Sequence, residues 1–187
     1  MDLPWGDART VQFVTNVGLV TTNGPFGNNI MAAEWTHQVS YSPGLITVCV
    51  GRNKATEANI HDSKEFGVSL AALDQAGLSH IAGNSSGKTV DKIAVLKELG
   101  FKFFPAKKIK VLLVKEAVLN MECRLVKEMV LGDHTMFVGE VLQAVLNAGK
   151  EPLAYHQTKY WKLGTTLPKP SEKEKEKIQK LLEKYNK

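Results

Sequence analysis

The sequence predicts a mainly-β, α+β chain: an antiparallel β-barrel with Greek-key connections, one helical insertion and a helix at the C-terminus. Three observations carry that prediction. Strand-like runs joined by tight turns fill both ends of residues 17–147. Helical spacing is confined to one stretch between them, Leu73 to Gly100. A run of Lys and Glu, "SEKEKEKIQKLLEKYNK", stands apart after "TTLPKP". Many antiparallel strands with helices gathered in one insertion favour a closed sheet over alternating βαβ units.

Taken in order, "VGLVTTNGPFGNNIMAAEW" reads as two strands around an Asn23-Gly24 turn with an extended loop through Gly27. After the break "SYSPG", the run Leu45 to Val50 reads as a strand covered on both faces. "ATEANIHDS" reads as a short helix capped by Thr56, and "EFGVSL" as the next strand. In the insertion, Ile93, Leu96 and Leu99 fall at helix spacing and Gly100 is a stop signal. Strands resume over Ile109–Val114, Ala117–Leu131 and His134–Asn147, the last two joined at Gly132-Asp133. The final helix opens with a capping box, Ser171 to Glu174. Its stripe of Ile178, Leu181, Leu182 and Tyr185 calls for a partner on the barrel or a second subunit, although a solvated tail fits its charges equally well. The expected organisation is one domain over residues 1–168 and an amphipathic helix over 169–187.

The composition is that of a globular protein, 43% hydrophobic and 23% charged over 187 residues. The net charge of +5 is mostly local: residues 169–187 hold seven Lys and four Glu, or +3, leaving +2 for the remainder. With no basic stripe interleaved with aromatics, nucleic acid is not an expected partner. No apolar run approaches a membrane span, and "MDLPWGDAR" has no signal-like core, so the expected location is the cytoplasm. Cys49 and Cys123 read as buried, reduced thiols, and the histidines show no metal-ligand spacing.

"AGNSSGKT" looks at first like a P-loop. The residue at Walker spacing is Ala82 rather than Gly83, no parallel strand precedes it, and no strand ends in a magnesium-binding Asp. An ATPase is therefore the weakest reading. The stretch still asks for an anion. With a helix starting near Thr89, Lys88 and Lys92 stand at its positive end, a repulsion that a phosphate held also by Ser85 and Ser86 would reverse. A second cationic helix start, Arg52 and Lys54 ahead of Thr56, has the same chemistry. The alternatives are a solvated Gly/Ser loop and ordinary loop-tip charges.

Together, "NNIMAAEWTHQVSYSPGLITVCVGRNKATEANI", "SSGKTVDK" and "GDHTMFVGEV" resemble the flavin reductase-like family of FMN-binding split barrels, in particular its flavoredoxin-like branch. The likeness runs from about Val17 to Leu163. It implies a six-stranded Greek-key split barrel, a homodimer, and an FMN site at or near the subunit interface. By the same resemblance Ala33, Glu34, Trp35 and Thr36 run along the isoalloxazine edge and offer it backbone groups. Arg52, Thr56, Ser86 and Lys92 hold the phosphate and ribityl chain, with Asn53, Lys54, Ser85, Gly87 and Lys88 in the same cofactor-binding stretches. His134 approaches the flavin from a strand start and Tyr160 meets it as an aromatic. Two departures are visible: Glu34 stands where many relatives have Ser or Thr, and Ser42-Pro43-Gly44 replaces a common double proline. From the residues alone, His134 also fits an exposed hairpin residue and Trp35 a core tryptophan.

The function this implies is an FMN oxidoreductase of the flavin reductase or flavoredoxin type. FMN takes a hydride from NAD(P)H and passes electrons to free flavin or another acceptor, and no side chain acts as a general base. The alternative is a flavoredoxin-like carrier whose tightly bound FMN is reduced by a protein partner.

Overall fold

The computed structural model describes residues 1–186. A short strand β1 (Thr15–Asn16) leads into the hairpin β2 (Gly18–Thr22) and β3 (Asn29–Ala33), followed by β4 (Thr36–Ser40) and β5 (Leu45–Gly51). Helix α1 (Ala55–Ser63) connects to β6 (Glu65–Leu70). The insertion holds α2 (Ala76–Asn84) and α3 (Lys92–Glu98). A small hairpin, β7 (Phe103–Pro105) and β8 (Leu112–Val114), precedes the long hairpin β9 (Leu119–Leu131) and β10 (His134–Leu146). The chain finishes with β11 (Leu153–His156), β12 (Lys159–Lys162) and α4 (Glu172–Lys184).

Seven strands form one antiparallel sheet in the order β3-β2-β6-β9-β10-β5-β4. Its two edges, β3 and β4, are consecutive in the chain and only Glu34 and Trp35 separate them. They are two halves of one bent stave, so the sheet closes into a barrel of six staves. Closure brings the Gly18 backbone against the Thr36 side chain, which any Cβ at that position would overlap. Glycine is required there by the close approach.

Val20, Val48, Val50, Phe66, Val68, Cys123 and Phe137 fill the barrel and are fully enclosed. Strand β2 is buried on both faces, because alternation sends Val20 inward and Leu19 outward onto the insertion. There Leu19 and Ile30 meet Leu78 and Ala82 of α2 and Ile93 and Leu96 of α3. β5 departs from expectation. Ile46, Val48 and Val50 are buried, but Leu45, Thr47, Cys49 and Gly51 are half-buried, since no helix covers that outer face. Cys49 is therefore half-buried and Cys123 buried, both unpaired; burial and the neighbouring Glu122 push the Cys123 thiol up to about 12.

Only Leu112–Val114 of the expected strand from Ile109 pairs. The preceding loop is tied down by Glu122, whose buried carboxylate accepts from the backbone N–H groups of Lys107 and Lys108. Helix α4 forms behind its capping box, with Ser171 N–H donating to Glu174 Oε2 at 2.8 Å, yet it buries none of its residues. Among the described residues no helix is long and apolar enough to cross a membrane.

Candidate functional site

The bend between β3 and β4, the end of β5, the start of β10 and the start of α1 meet at one rim of the barrel. His134 opens β10 opposite Gly51, the last residue of β5. The indole of Trp35 lies 4.5 Å from the His134 ring, centroid to centroid. Trp35 is 55% exposed, so it is a rim residue and not a core tryptophan. His134 Nδ1 pairs with Asp133 Oδ1 at 2.7 Å, and that contact holds the Asp133 carboxyl below its usual range. At Gly51 a methyl group would lie at ordinary contact distance, 3.7 Å from His134 Nε2 and 3.6 Å from Lys54 Cε, so the strand end, His134 and the Lys54 side chain are packed together.

Arg52, Asn53 and Lys54 form the exposed turn that leads into α1, with Asn53 in the left-handed region at φ 71°. Thr56 is not the cap. Lys54 occupies that position, and Thr56 is buried inside the first turn, where its Oγ1 accepts from Asn29 Nδ2 at 2.8 Å. The helix begins at Ala55, one residue ahead of Thr56, so the Thr56 hydroxyl lies inside the first turn and meets Asn29 of β3 instead.

The Ser85–Lys88 loop packs on the same helix start. A Cβ on Gly87 would collide with the Asn29 amide and stand 3.2 Å from the Ala55 methyl. The two cationic stretches are thus adjacent within one chain. Helix α3 begins at Lys92 rather than near Thr89, and Asp91 caps it by accepting from Ala94 N–H. Lys88 therefore lies ahead of that helix, 5.5 Å from the centroid of the Phe26 ring. The loop joins helix to helix, which leaves no strand-loop-helix frame for a P-loop.

Lys92 is the unusual member. It is 3% exposed, and its Nζ donates to Ala82 O at the end of α2, 3.0 Å away. Burial, and then the charge of Lys54, lower its pKa to about 8. Among the described residues none of Arg52, Lys54, Lys88 and Lys92 forms an ion pair. A buried ammonium that feels a second cation and has no carboxylate partner has the chemistry that a bound anion would satisfy. The residues present fit a phosphate in that respect.

The expected ring segment is partly engaged within the chain. The Ala33 carbonyl accepts from Thr36 Oγ1, that of Glu34 from Thr36 N–H, and that of Trp35 from Cys49 N–H. Glu34 is half-buried, and its Oε1 accepts from the Trp5 indole N–H at 3.4 Å. Tyr160 of β12 stacks obliquely on Tyr155 of β11, 5.4 Å apart. Burial, and then nearby negative charge that includes Glu34, push both hydroxyls up. Tyr160 thus feels the charge of Glu34, the neighbour of Trp35 in sequence. Asn29, Trp5 and Tyr155 were not legible as site residues; only the Asn at a strand start within an apolar run could have flagged Asn29.

Residues 10–164 match the family model described as flavin reductase like domain. The chain belongs to this family. An uncharacterized protein of Archaeoglobus fulgidus is 38% identical over 114 residues, 61% of this chain and 63% of that protein's length. An NADH-dependent FAD reductase of Streptomyces globisporus is 28% identical over 144 residues, 76% of each. In structure, the flavoredoxin of Methanosarcina acetivorans superposes with a TM-score of 0.78 at 22% identity, covering 94% of this chain and 97% of that one. That likeness speaks to the fold shared across the family.

Proposed function

We propose that this chain is an FMN-binding oxidoreductase that takes electrons from NAD(P)H and delivers them to free flavin or another acceptor, working as a homodimer in the cytoplasm. The observation that carries this reading is the rim itself, where Lys92 is buried without an ion-pair partner and feels the charge of Lys54, in the turn that joins α1 to the β5 end opposite His134.

FMN, when bound, would supply the two-electron chemistry. The chain's own residues bind and orient it. Lys92, Lys54 and Arg52 offset the charge of a phosphate, and the hydroxyls of Ser85 and Ser86 and the start of α1 offer donors. Trp35 and the bend of the β3–β4 stave provide a flat apolar wall, and His134 stands over it. The NAD(P)H reading draws support from the reductase among the relatives. The dimer reading draws support from β9, whose residues beyond Leu125 pair only with β10 and expose Val126, Met129, Val130 and Leu131. The two unpaired cysteines fit a reducing compartment.

The test is to purify the chain, record its absorbance with and without added FMN, and add NADH or NADPH without air. Rapid bleaching of the bound flavin supports the reductase. A yellow protein that bleaches only with a reduced redox protein is a carrier, and a chain that takes up no FMN ends the proposal.

A further inference from the structure

Cations and carboxylates both surround this rim. Arg52, Lys54 and Lys92 lie around the start of α1 with Glu57 in its first turn, Asp133 pairs with His134, and Glu34 adjoins Trp35 in the bend between β3 and β4. Glu34 is half-buried and, among the described residues, forms no ion pair. Its hydrogen bond comes from the neutral Trp5 indole. Burial pushes the hydroxyls of Tyr155 and Tyr160 up, and the charge of Glu34 adds to the shift of both. A charge in such a place is poorly screened and acts on whatever lies against Trp35.

We propose that Glu34 is a residue that sets the electron affinity of the site, disfavouring negative charge on a ring held against Trp35. The inference rests on the FMN reading above. Uptake of two electrons from NAD(P)H or dithionite, with one proton, leaves one added negative charge on such a ring. The Glu34 carboxylate raises the free energy of that product relative to the oxidised form. Reduced flavin at this site is then a stronger reductant than the cationic end alone would make it, which suits an acceptor of low potential. His134 acts in the opposite sense as a hydrogen-bond donor, and its Nδ1 is paired with Asp133 Oδ1 at 2.7 Å.

The test compares wild type, Glu34→Gln and Glu34→Asp, with affinities for oxidised FMN and for dithionite-reduced FMN measured without air. The expected result is that Glu34→Gln binds oxidised FMN within about threefold of wild type. Its preference for reduced over oxidised FMN rises about tenfold, equivalent to about 30 mV in a two-electron couple. Glu34→Asp, which keeps the charge, stays close to the wild-type ratio. An unchanged ratio in Glu34→Gln, or an equal change in Glu34→Asp, overturns the inference while FMN binding stands. A wild-type chain that takes up no FMN overturns both.

Discussion

Replacing Lys92 by methionine separates two things that the buried ammonium does at once. In the folded protein without an anion, its pKa falls from 10.5 to about 8, because burial and Lys54 disfavour the charged form. That drop corresponds to about 3 kcal/mol of destabilisation while Lys92 is charged in both states. The sign follows from linkage. Below pH 8 the penalty is fully present. Between pH 8 and 10.5 the unfolded chain binds more protons, so the penalty fades as pH rises, and above 10.5 it is gone. Methionine keeps the stem and removes the penalty, but it also removes the Nζ bond to Ala82 O, which offsets about 1.5 kcal/mol. The net gain of about 1.5 kcal/mol raises the Tm of the FMN-free protein by about 3 to 6 °C at pH 7, whereas at pH 10 the penalty has fallen to about 1 kcal/mol, the lost hydrogen bond outweighs it, and the Tm of the variant falls slightly below that of wild type. At the same time FMN, which should raise the Tm of wild type, loses most of that effect on the variant. Differential scanning calorimetry with and without FMN, at the two pH values, measures both. A variant less stable than wild type at pH 7 refutes the burial penalty. A stabilised variant with undiminished FMN binding refutes the placement of Lys92 at the phosphate.

Thr56→Ala removes the acceptor for Asn29 and one hydroxyl at the start of α1; equilibrium dialysis should show FMN affinity reduced about tenfold. Gly87→Ala forces the loop away from Asn29 and Ala55, so FMN retention on a desalting column should drop while far-ultraviolet circular dichroism is unchanged. Gly139→Ala drives a methyl into the Phe66 ring and Cys123 inside the barrel; urea titration should show a loss of about 1 to 3 kcal/mol. Glu122→Ala leaves the N–H groups of Lys107 and Lys108 without their partner, and the same titration should lose about 2 to 4 kcal/mol.

What the sequence disclosed was local. The Asn23-Gly24 hairpin, β5, the β9–β10 pair and the Ser171 capping box each rest on residues a few positions apart, and each formed where its pattern placed it. The three-stranded sheet β1-β11-β12 was illegible because its strands are two to four residues long and Thr15 pairs with Tyr155 across the chain. At the site, the cationic stretches were legible as charges at helix starts, but not the reason they matter. Lysine ordinarily reads as surface, and nothing near Lys92 in sequence announces that α2 will end against it. Thr56 fitted a cap for the same local reason, but the helix begins one residue ahead of it, at Ala55, and the hydroxyl meets Asn29 of β3.

The bend at Glu34 and Trp35 is the seam along which the cylinder is sewn shut, and the proposed coenzyme would rest on that seam. A half-assembled chain has no such ledge. Uptake of colour would then report a closed barrel, so stopped-flow mixing of unfolded chain with FMN should show flavin binding no faster than barrel closure. An internal break placed at those two residues should abolish pigment and architecture together.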